Sequence, residues 1–391
     1  NQTLTTWRFK DLDKLKVMTI VGTRPEVIRL SEVIKACDRC FDHVLVHTGQ
    51  NYDYTLNQIF FEELEIREPN YYLDSADEHL GKTIGNIIAR SYEVMVKEKP
   101  DALLILGDTN SALSAISAKR VKIPVFHMEA GNRCFDENVP EEINRRIVDH
   151  ISDINLAYTE HSRRYLLSEG IRKDFIFVTG SPMTEVLRKN LDRIARSTVL
   201  DDLGLEAGRY IVVSAHREEN IDSERNFASL MNALNAVAEE FQMPLVYSTH
   251  PRSWKRIEER GFKFHPLVQQ LRPFGFLDYC KLQTSSFCVL SDSGTLSEES
   301  AILGFPAVLI RTSTERPEVL DRGSIVVGGI DSSSIEQAIA LVITTLENSS
   351  KTPWPLDYLD TNVSQKIVKI IQSCTGIVNV SVWKKPIPTE A

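Results

Sequence analysis

Three carboxylates lie at predicted strand ends or helix starts in the N-terminal half of the chain. Asp108 follows the apolar run LLILG, Glu129 follows PVFHM, and Glu141 comes directly after Pro140. Ligands of open parallel sheets bind at the carboxyl ends of the strands, so these side chains could converge. Carboxylates whose pKa values are pushed apart by burial and by neighbours suit the removal and return of a proton. The three acids, with Arg145 nearby, therefore predict acid–base chemistry.

Each acid also has a simpler interpretation. Asp108 could cap the helix that follows its strand. Asn138 and Glu141 fit a capping box. The helix after Pro140 would place Glu141 and Arg145 opposite one apolar stripe, where they could form a solvated ion pair; that stripe comprises Ile143, Ile147, Ile151 and Ile154. The recurrence of acids at corresponding positions of one domain favours acid–base chemistry over capping alone.

The C-terminal half carries residues that suit an anionic ligand. In SDSGTLSEES, Ser293 and Gly294 precede a predicted helix whose free backbone N–H groups could bind a phosphate. Glu299, further along that helix, could accept hydrogen bonds from two ribose hydroxyls. TERPE places Arg316 on a tight turn. Together these residues predict a nucleotide diphosphate site, although ordinary helix capping also explains the serine and glycine.

Further histidine and arginine side chains follow other predicted strands. AHREEN places His216 and Arg217 at a strand end, and THPR does the same with His250. GTRPEVIR begins a helix with Arg24 and Arg29, which suit a phosphate unless they face water. Because this turn lacks GxGxxG, no dinucleotide cofactor is expected.

Composition argues against several classes of partner. The formal net charge of −9 disfavours nucleic acid and anionic membranes. Of six cysteines, only Cys37 and Cys40 form a CxxC, and no second ligand pair completes a metal site, so we expect no metal. The chain has no apolar run of about 18 residues and its N-terminal stretch is polar, so we expect a cytoplasmic enzyme without a membrane span.

The elements that must position these residues form a repeated pattern of apolar strand, turn and helix. KVMTIVG, DHVLVHTG and DALLILGD belong to one series, and RYIVVSAH, MPLVYSTH and FCVLSDSG to a second. Near-continuous Val, Ile and Leu in each strand indicates parallel sheets covered on both faces. We predict an α/β fold of two Rossmann-like, doubly wound parallel-sheet domains that face a central cleft. The predicted domains are residues 1–183 and 184–361, with a final helix in 362–391 packed back on the first domain.

The motifs also resemble those of a known family. GTRPE, HTGQ, GDT, HMEAGNR, PEEINRR, TGSP, AHREEN, HPR, SDSG and TERPE occur in the same order as in the non-hydrolysing UDP-N-acetylglucosamine 2-epimerases. The resemblance covers roughly residues 16–350 and implies the two-domain architecture of nucleotide-sugar glycosyltransferases. It implies that Asp108, Glu129 and Glu141 are the catalytic acids and bases. Candidates for binding the UDP-linked sugar are then Arg24, Arg29, Arg145, Arg217, His250, Tyr279, Ser293, Gly294, Glu299 and Arg316, with His216 a candidate for both roles.

The implied reaction inverts C2 of a UDP-linked 2-acetamido sugar through a glycal, without cofactor or metal, in a homodimer. HTGQNYDY, TGSPM, SDSGT and TGIVN depart from the commonest family pattern. They resemble the branch that converts UDP-2-acetamido-2,6-dideoxy-L-talose to UDP-N-acetyl-L-fucosamine for capsule or O-antigen polysaccharide. The alternatives are a UDP-N-acetylglucosamine 2-epimerase, a UDP-sugar glycosyltransferase and a non-catalytic UDP-sugar sensor. A glycosyltransferase would need one base rather than three acids, and a sensor would not need the acids.

Overall fold

A computed structural model describes residues 13–49, 59–312, 314–347 and 355–386. The motif HTGQNYDY therefore lies largely outside the described residues. Within them, no helix is long and apolar enough to cross a membrane.

The first sheet has seven parallel strands in the order β3-β2-β1-β4-β5-β6-β7. They are β1 Lys16–Val21, β2 Asp42–His47, β3 Tyr71–Tyr72, β4 Ala102–Leu106, β5 Val125–Met128, β6 Ile154–Ala157 and β7 Ile176–Val178. The accompanying helices are α1 Arg24–Cys40, α2 Ile59–Glu63, α3 Leu80–Glu98, α4 Ala115–Arg120, α5 Pro140–Ile151, α6 Glu160–Ser168 and α7 Met183–Ala195, with short 3-10 helices at Asn110–Ser114 and Lys173–Phe175.

The second sheet repeats this topology with six parallel strands in the order β10-β9-β8-β11-β12-β13. They are β8 Ile211–Ser214, β9 Leu245–Ser248, β10 Val268–Leu271, β11 Cys288–Ser291, β12 Ala307–Leu309 and β13 Val326–Val327. The remaining helices are α8 Val199–Leu203, α9 Glu218–Ile221, α10 Glu224–Phe241, α11 Pro251–Glu259, α12 Phe276–Ser285, α13 Leu296–Leu303, α14 Pro317–Asp321, α15 Ser332–Glu347 and α16 Val363–Ser381, with a 3-10 helix at Leu356–Tyr358. The predicted pair of doubly wound parallel-sheet domains is confirmed.

The strand pleat sends alternate side chains of each sheet into different apolar cores. Val17 and Val21 of β1 enter one core, whereas Met18 and Ile20 enter another. The first of these cores also contains Val212 of β8, so it continues from one sheet to the other. Shared apolar packing of this kind holds the two domains closely against each other.

The last helix lies against the first domain. Ile367 and Ile371 of α16 are fully buried in the same core as Leu30 and Val33 of α1. The Nζ atom of Lys366 donates to the carbonyl oxygen of Thr179 at 3.0 Å. The chain therefore returns to its first domain after completing the second sheet.

Helix α5 differs from its sequence-based description. Its N-cap residue is Val139, and the side chain of Asn138 bonds to Asp136 at 2.8 Å, so the predicted capping box is wrong. The predicted stripe of isoleucines is also wrong, because Ile154 belongs to β6 and is buried, whereas Ile143 is 52% exposed and Ile147 40% exposed. The helix instead turns buried polar residues inward, and the opposite face carries the isoleucines.

Candidate functional site

The candidate site lies where the strand order of each sheet reverses. In the first sheet the reversal falls between β1 and β4, and in the second between β8 and β11. The turns after these four strands face each other across the cleft, which is the usual ligand position in open α/β sheets. A cavity of about 1100 Å³ and a second of about 730 Å³ fill this space. They share five lining residues, Pro25, Arg29, His216, Ser293 and Thr295.

Asp108 emerges directly after β4 and lines the larger cavity. Nε of Arg145 donates to its Oδ2 atom at 2.6 Å, and Asn144 donates to its backbone carbonyl at 2.8 Å. Nη1 of Arg145 is held in turn by Glu142 at 2.8 Å. The pair predicted between Glu141 and Arg145 is thus replaced by pairs of Arg145 with Asp108 and Glu142, which hold the Asp108 side chain in place.

Glu129 lies at the end of β5, is 6% exposed and has a φ of +63°. Positive φ is strained for a residue other than glycine and is frequent at functional sites. Its carboxylate pairs with Arg29 and with Nη2 of Arg316, the latter at 2.8 Å. Burial raises the pKa of Glu129, and the two arginines only partly oppose this effect. The group is placed to exchange a proton at a higher pH than an exposed glutamate.

Glu141 lies in the first turn of α5, directly after Pro140 at the first helical position. It lines the same cavity as Asp108 and Glu129. Burial raises its pKa, and the nearby charge of Asp108 raises it further. The structure thus brings the three predicted carboxylates to one wall of one cavity.

Glu26 is a fourth carboxylate of this wall, and the sequence interpretation missed it. Its buried side chain accepts N–H bonds from Gly22 at 2.8 Å and Thr23 at 2.6 Å, and a hydroxyl bond from Thr109 at 2.8 Å. It therefore ties the turn after β1 to the turn after β4. Burial raises the pKa of Glu26 to about 7. The available signal was TRPE itself, because threonine followed three residues later by glutamate is a capping box.

The opposite wall comes from the second domain. Oδ2 of Asp292, after β11, accepts the backbone N–H groups of His216 and Arg217, each at 3.0 Å. Nη2 of Arg217 reaches Glu315 at 3.4 Å, and Glu315 also pairs with Arg311 at 2.8 Å. Burial opposes ionisation of Glu315, yet Arg217 and Arg311 hold its pKa well below the usual range. Asp292, which the sequence interpretation did not select, positions two of the predicted binding residues.

The two histidines of this wall are neutral near pH 7. The ring centroids of His216 and His250 lie 6.0 Å apart. Burial lowers the pKa of both, to about 4 for His250, and Arg24 lowers both further. Positive charge for an anionic ligand therefore comes from arginines, and the imidazoles supply neutral hydrogen-bonding groups.

The smaller cavity contains most of the predicted nucleotide-binding residues. Arg24, Tyr279, Ser293 and Glu299 line it together. The guanidinium of Arg24 stacks 5.4 Å from the ring centroid of Phe60. Burial raises the pKa of Glu299, whose Oε2 accepts a bond from Gln283 at 2.7 Å. An aromatic ring, an arginine and a carboxylate in one cavity can bind a nucleoside.

Arg316 is the one predicted binding residue that lines neither cavity. It is fully buried, and its guanidinium joins Glu129 of the first domain to Glu298 of the second, with Nη1 lying 2.6 Å from Oε1 of Glu298. Gly294 lines the larger cavity with Arg145, Arg217 and His250. Within the described residues, no cluster of His, Cys, Asp and Glu could hold a metal ion.

This arrangement combines two chemical capabilities in one cleft. One wall carries carboxylates with raised pKa values, and the other carries arginines and the turn before α13. Such a cleft can hold an anionic group on one side while a proton moves on the other.

Comparison with known proteins agrees with this geometry. Residues 35–372 match the UDP-N-acetylglucosamine 2-epimerase family. A UDP-N-acetylglucosamine 2-epimerase structure from Rickettsia bellii is 46% identical, with a TM-score of 0.88 over 95% of this chain and 100% of that chain. A Methanocaldococcus jannaschii UDP-GlcNAc 2-epimerase in complex with UDP-GlcNAc and UDP is 32% identical, with a TM-score of 0.86 over 92% of this chain and 100% of that one.

A third relative is the UDP-2,3-diacetamido-2,3-dideoxy-D-glucuronate 2-epimerase of Pseudomonas aeruginosa. It is 34% identical over 342 residues, which cover 86% of this chain and 95% of the relative. The named reactions of these relatives share epimerisation at C2 and differ in the sugar. The chain belongs to the UDP-N-acetylglucosamine 2-epimerase family and is an isomerase of UDP-linked sugars.

Proposed function

We propose that this enzyme converts UDP-2-acetamido-2,6-dideoxy-L-talose to UDP-N-acetyl-L-fucosamine for capsule or O-antigen polysaccharide. The observation that carries the proposed chemistry is the single cavity lined by Asp108, Glu129 and Glu141 on one wall and by His216 and Arg217 on the other. The sugar would lie against the carboxylates, and the uridine would lie in the smaller cavity with Arg24 and Tyr279.

The proposed reaction has two balanced halves. One carboxylate takes the proton from C2, the electrons of the C2–H bond form the C1–C2 double bond, and the C1–O bond breaks to release UDP. UDP then adds back to C1 of the glycal, and a second carboxylate returns a proton to the opposite face of C2. The proton at C2 lies next to no carbonyl, so its removal requires stabilisation of the departing UDP. Buried arginines supply that stabilisation without a cofactor.

The choice of a 6-deoxy sugar is supported by the sequence variants that lie at the site. Met183 of TGSPM lines the smaller cavity, and Thr295 of SDSGT lines both cavities. Ser181 of TGSPM donates to Glu298 at 3.0 Å, Glu298 pairs with Arg316, and Arg316 pairs with Glu129. Thr295, which lines both cavities, and Ser181, through this chain of contacts, lie where they can alter sugar selection, and both depart from the common family pattern.

UDP-N-acetylglucosamine is the second candidate substrate, because the Methanocaldococcus relative is described with that ligand. A comparison of both UDP-sugars by NMR of the products tests the choice. We expect turnover of the 6-deoxy-L-talose substrate at a kcat/KM at least about tenfold above that of UDP-N-acetylglucosamine, which corresponds to about 1.4 kcal/mol of discrimination. Turnover of UDP-N-acetylglucosamine alone would refute the 6-deoxy assignment. Binding of both without turnover would favour a sensor.

We further propose that the enzyme is a homodimer. Helix α3 exposes Tyr92 and Val96, helix α5 exposes Ile143 and Ile147, and both helices pack against α4. Exposed apolar side chains on helices of one domain are typical of an interface between protein chains. Light scattering after size-exclusion chromatography should give twice the mass of 44.3 kDa. A monomeric mass at micromolar concentration would contradict the proposal.

A further inference from the structure

His127, on β5, lines neither cavity. It lies behind the catalytic wall, by which we mean the side of the larger cavity that carries Asp108, Glu129 and Glu141. Its ring is fully buried, with Nε2 2.7 Å from the carbonyl oxygen of Gly107 and Nδ1 2.9 Å from Oδ1 of Asp149. The carbonyl oxygen of Gly107 is an acceptor, so Nε2 carries a hydrogen and donates it. Burial disfavours the charged ring, but Asp149 and the Gly107 carbonyl raise the pKa of His127 above its usual value. His127 therefore lies between the Gly107 carbonyl and the Asp149 carboxylate.

The Gly107 carbonyl belongs to the peptide that leads into Asp108. Gly107 has a φ of +72°, and its N–H donates to the carbonyl of Met128 at 2.9 Å. His127 and Met128, neighbours on β5, thus hold this residue from its carbonyl and its N–H. The orientation of the peptide between Gly107 and Asp108 sets the direction in which the Asp108 side chain leaves the strand.

Asp149, on α5, binds the turn that carries Glu129. Its Oδ2 atom accepts the N–H of Gly131 at 3.1 Å and a bond from Nη1 of Arg133 at 2.7 Å. Gly131 lies two residues after Glu129 with a φ of +85°, and a Cβ there would come within 2.4 Å of the Ser162 carbonyl oxygen. The turn that carries Glu129 therefore has little freedom, and Asp149 bonds to it directly.

We propose that His127 and Asp149 are positioning residues that fix the Asp108 turn relative to the Glu129 turn, so that both carboxylates meet the sugar in one geometry. The inference rests on the acid–base roles proposed for Asp108 and Glu129. Neither His127 nor Asp149 touches the cavity, so they act through the two carboxylates. Misplacement of a reacting group by about 1 Å can lower the rate about 100-fold.

Two replacements of His127 separate its contact with Gly107 from its contact with Asp149. Glutamine places its amide nitrogen near the position of Nε2 and can still donate to the Gly107 carbonyl. Asparagine places its amide nitrogen near Nδ1 and retains only the contact with Asp149. We expect His127→Asn to lower kcat about 100-fold with KM and UDP affinity changed by less than about threefold, and His127→Gln to recover at least about tenfold of that loss. Asp149→Asn, which keeps the side-chain volume, should also lower kcat with little change in KM.

His43, on β2 of the same sheet, provides a control. Its side chain is 1% exposed and lies 2.6 Å from Asp38 and 2.8 Å from Thr19, so it is also a buried imidazole beside an aspartate, although Asp38 itself is 29% exposed. His43→Gln should lower the melting temperature without changing kcat. If His127→Asn likewise lowers only the melting temperature, or if the glutamine and asparagine variants lose kcat equally, the inference is wrong.

Parallel assays of Asp108→Asn and Glu129→Gln distinguish this inference from the proposed function. If both variants retain wild-type turnover, the proposed acid–base roles fail and the inference fails with them. If both are inactive while His127→Asn and Asp149→Asn turn over like the wild type, the inference alone fails.

Discussion

At the residue scale, Asp108, Glu129 and Glu141 line one cavity but have different surroundings. Asp108 is bonded to Arg145, and Glu129 is held by Arg29 and Arg316. The pKa of Glu141 is raised by burial and by the like charge of Asp108, with Arg217 opposing the shift. The carboxylate of Glu141 thus faces the cavity, and its charged form is disfavoured. This combination suits proton transfer.

Replacement of Glu141 by glutamine tests this role. The amide cannot exchange a proton, so we expect kcat to fall about 10²- to 10⁴-fold, the usual contribution of a general acid or base. The affinity for UDP, measured by calorimetry, should stay within a few-fold, because Glu141 belongs to the wall opposite His216 and Arg217. Glu137→Gln is the control, since this side chain is 77% exposed and pairs only with Arg146 among the described contacts. Unchanged turnover of Glu141→Gln would leave the residue a merely structural role at the start of α5.

The pH dependence of kcat/KM follows from the same carboxylates. Burial raises the pKa of both Glu129 and Glu141 above 4.5, the ordinary value for glutamate. As pH falls through a raised pKa the carboxylate is protonated, and an acid cannot serve as the base that removes the C2 proton. We therefore expect kcat/KM to fall on the acid side at a pH above 4.5. A rate that stays constant down to pH 4.5 would show that neither group must be ionised.

Asp108, Glu129 and His216 were recognisable from the sequence because each comes within two residues of the end of a buried apolar strand. Glu26 could have been recognised from the capping box in TRPE. Asp292 could not, because the N–H groups that it accepts belong to His216 and Arg217, more than 70 residues earlier in the chain. The capping box at Asn138 was wrong because that side chain bonds to Asp136 instead.

At the element scale, the strand order determines the site. The turns after β1 and β4, and those after β8 and β11, flank the two points at which the order reverses. Apolar runs in the sequence predict that the strands exist and are parallel. They do not predict the order in which strands pair, because nearly every strand has the same buried composition. From the sequence, only the general rule for parallel sheets indicated that the ligand binds at strand ends. The observed strand order shows at which strands the cleft lies.

The turn before α13 offers a test at this scale. A Cβ on Gly294 would come within 2.4 Å of Oε1 of Glu315, the residue that pairs with Arg217 and Arg311. Gly294→Ala must displace Glu315 and its charged hydrogen bonds, so we expect UDP binding to weaken at least about tenfold in calorimetry.

Gly376→Ala is the matched control, because nothing lies within 4 Å of a Cβ at that position of α16. This replacement should leave UDP binding unchanged and raise the free energy of unfolding by about 1 kcal/mol. Equal UDP affinities for the wild type and Gly294→Ala would exclude a role for close packing at this turn.

At the scale of the whole molecule, a buried network joins the catalytic wall to the second domain. Arg316 contacts Glu129, 187 residues earlier in the chain, together with Glu298 of α13. Ser181, between β7 and α7, donates to Glu298 as well. Sequence spacing could not predict these pairs, because charges far apart in the chain become neighbours only when the domains meet. The network makes the environment of a catalytic carboxylate depend on the contact between the domains.

In the proposed reaction, proton transfer belongs to the first domain and much of the diphosphate binding to the second. Neither domain alone can carry out the proposed elimination, because C2–H and C1–O bonds break at opposite walls of the cleft. The central claim is therefore that a proton leaves C2 of the sugar while UDP departs from C1.

Epimerisation in D2O, followed by NMR of the sugar, tests this claim most directly. We expect the product to carry one deuterium at C2, because the proton removed by one carboxylate exchanges with solvent and a second carboxylate returns a deuteron. Glu141→Gln should abolish both epimerisation and deuterium incorporation. Conversion to the C2 epimer with hydrogen fully retained at C2 would contradict the proton-abstraction mechanism.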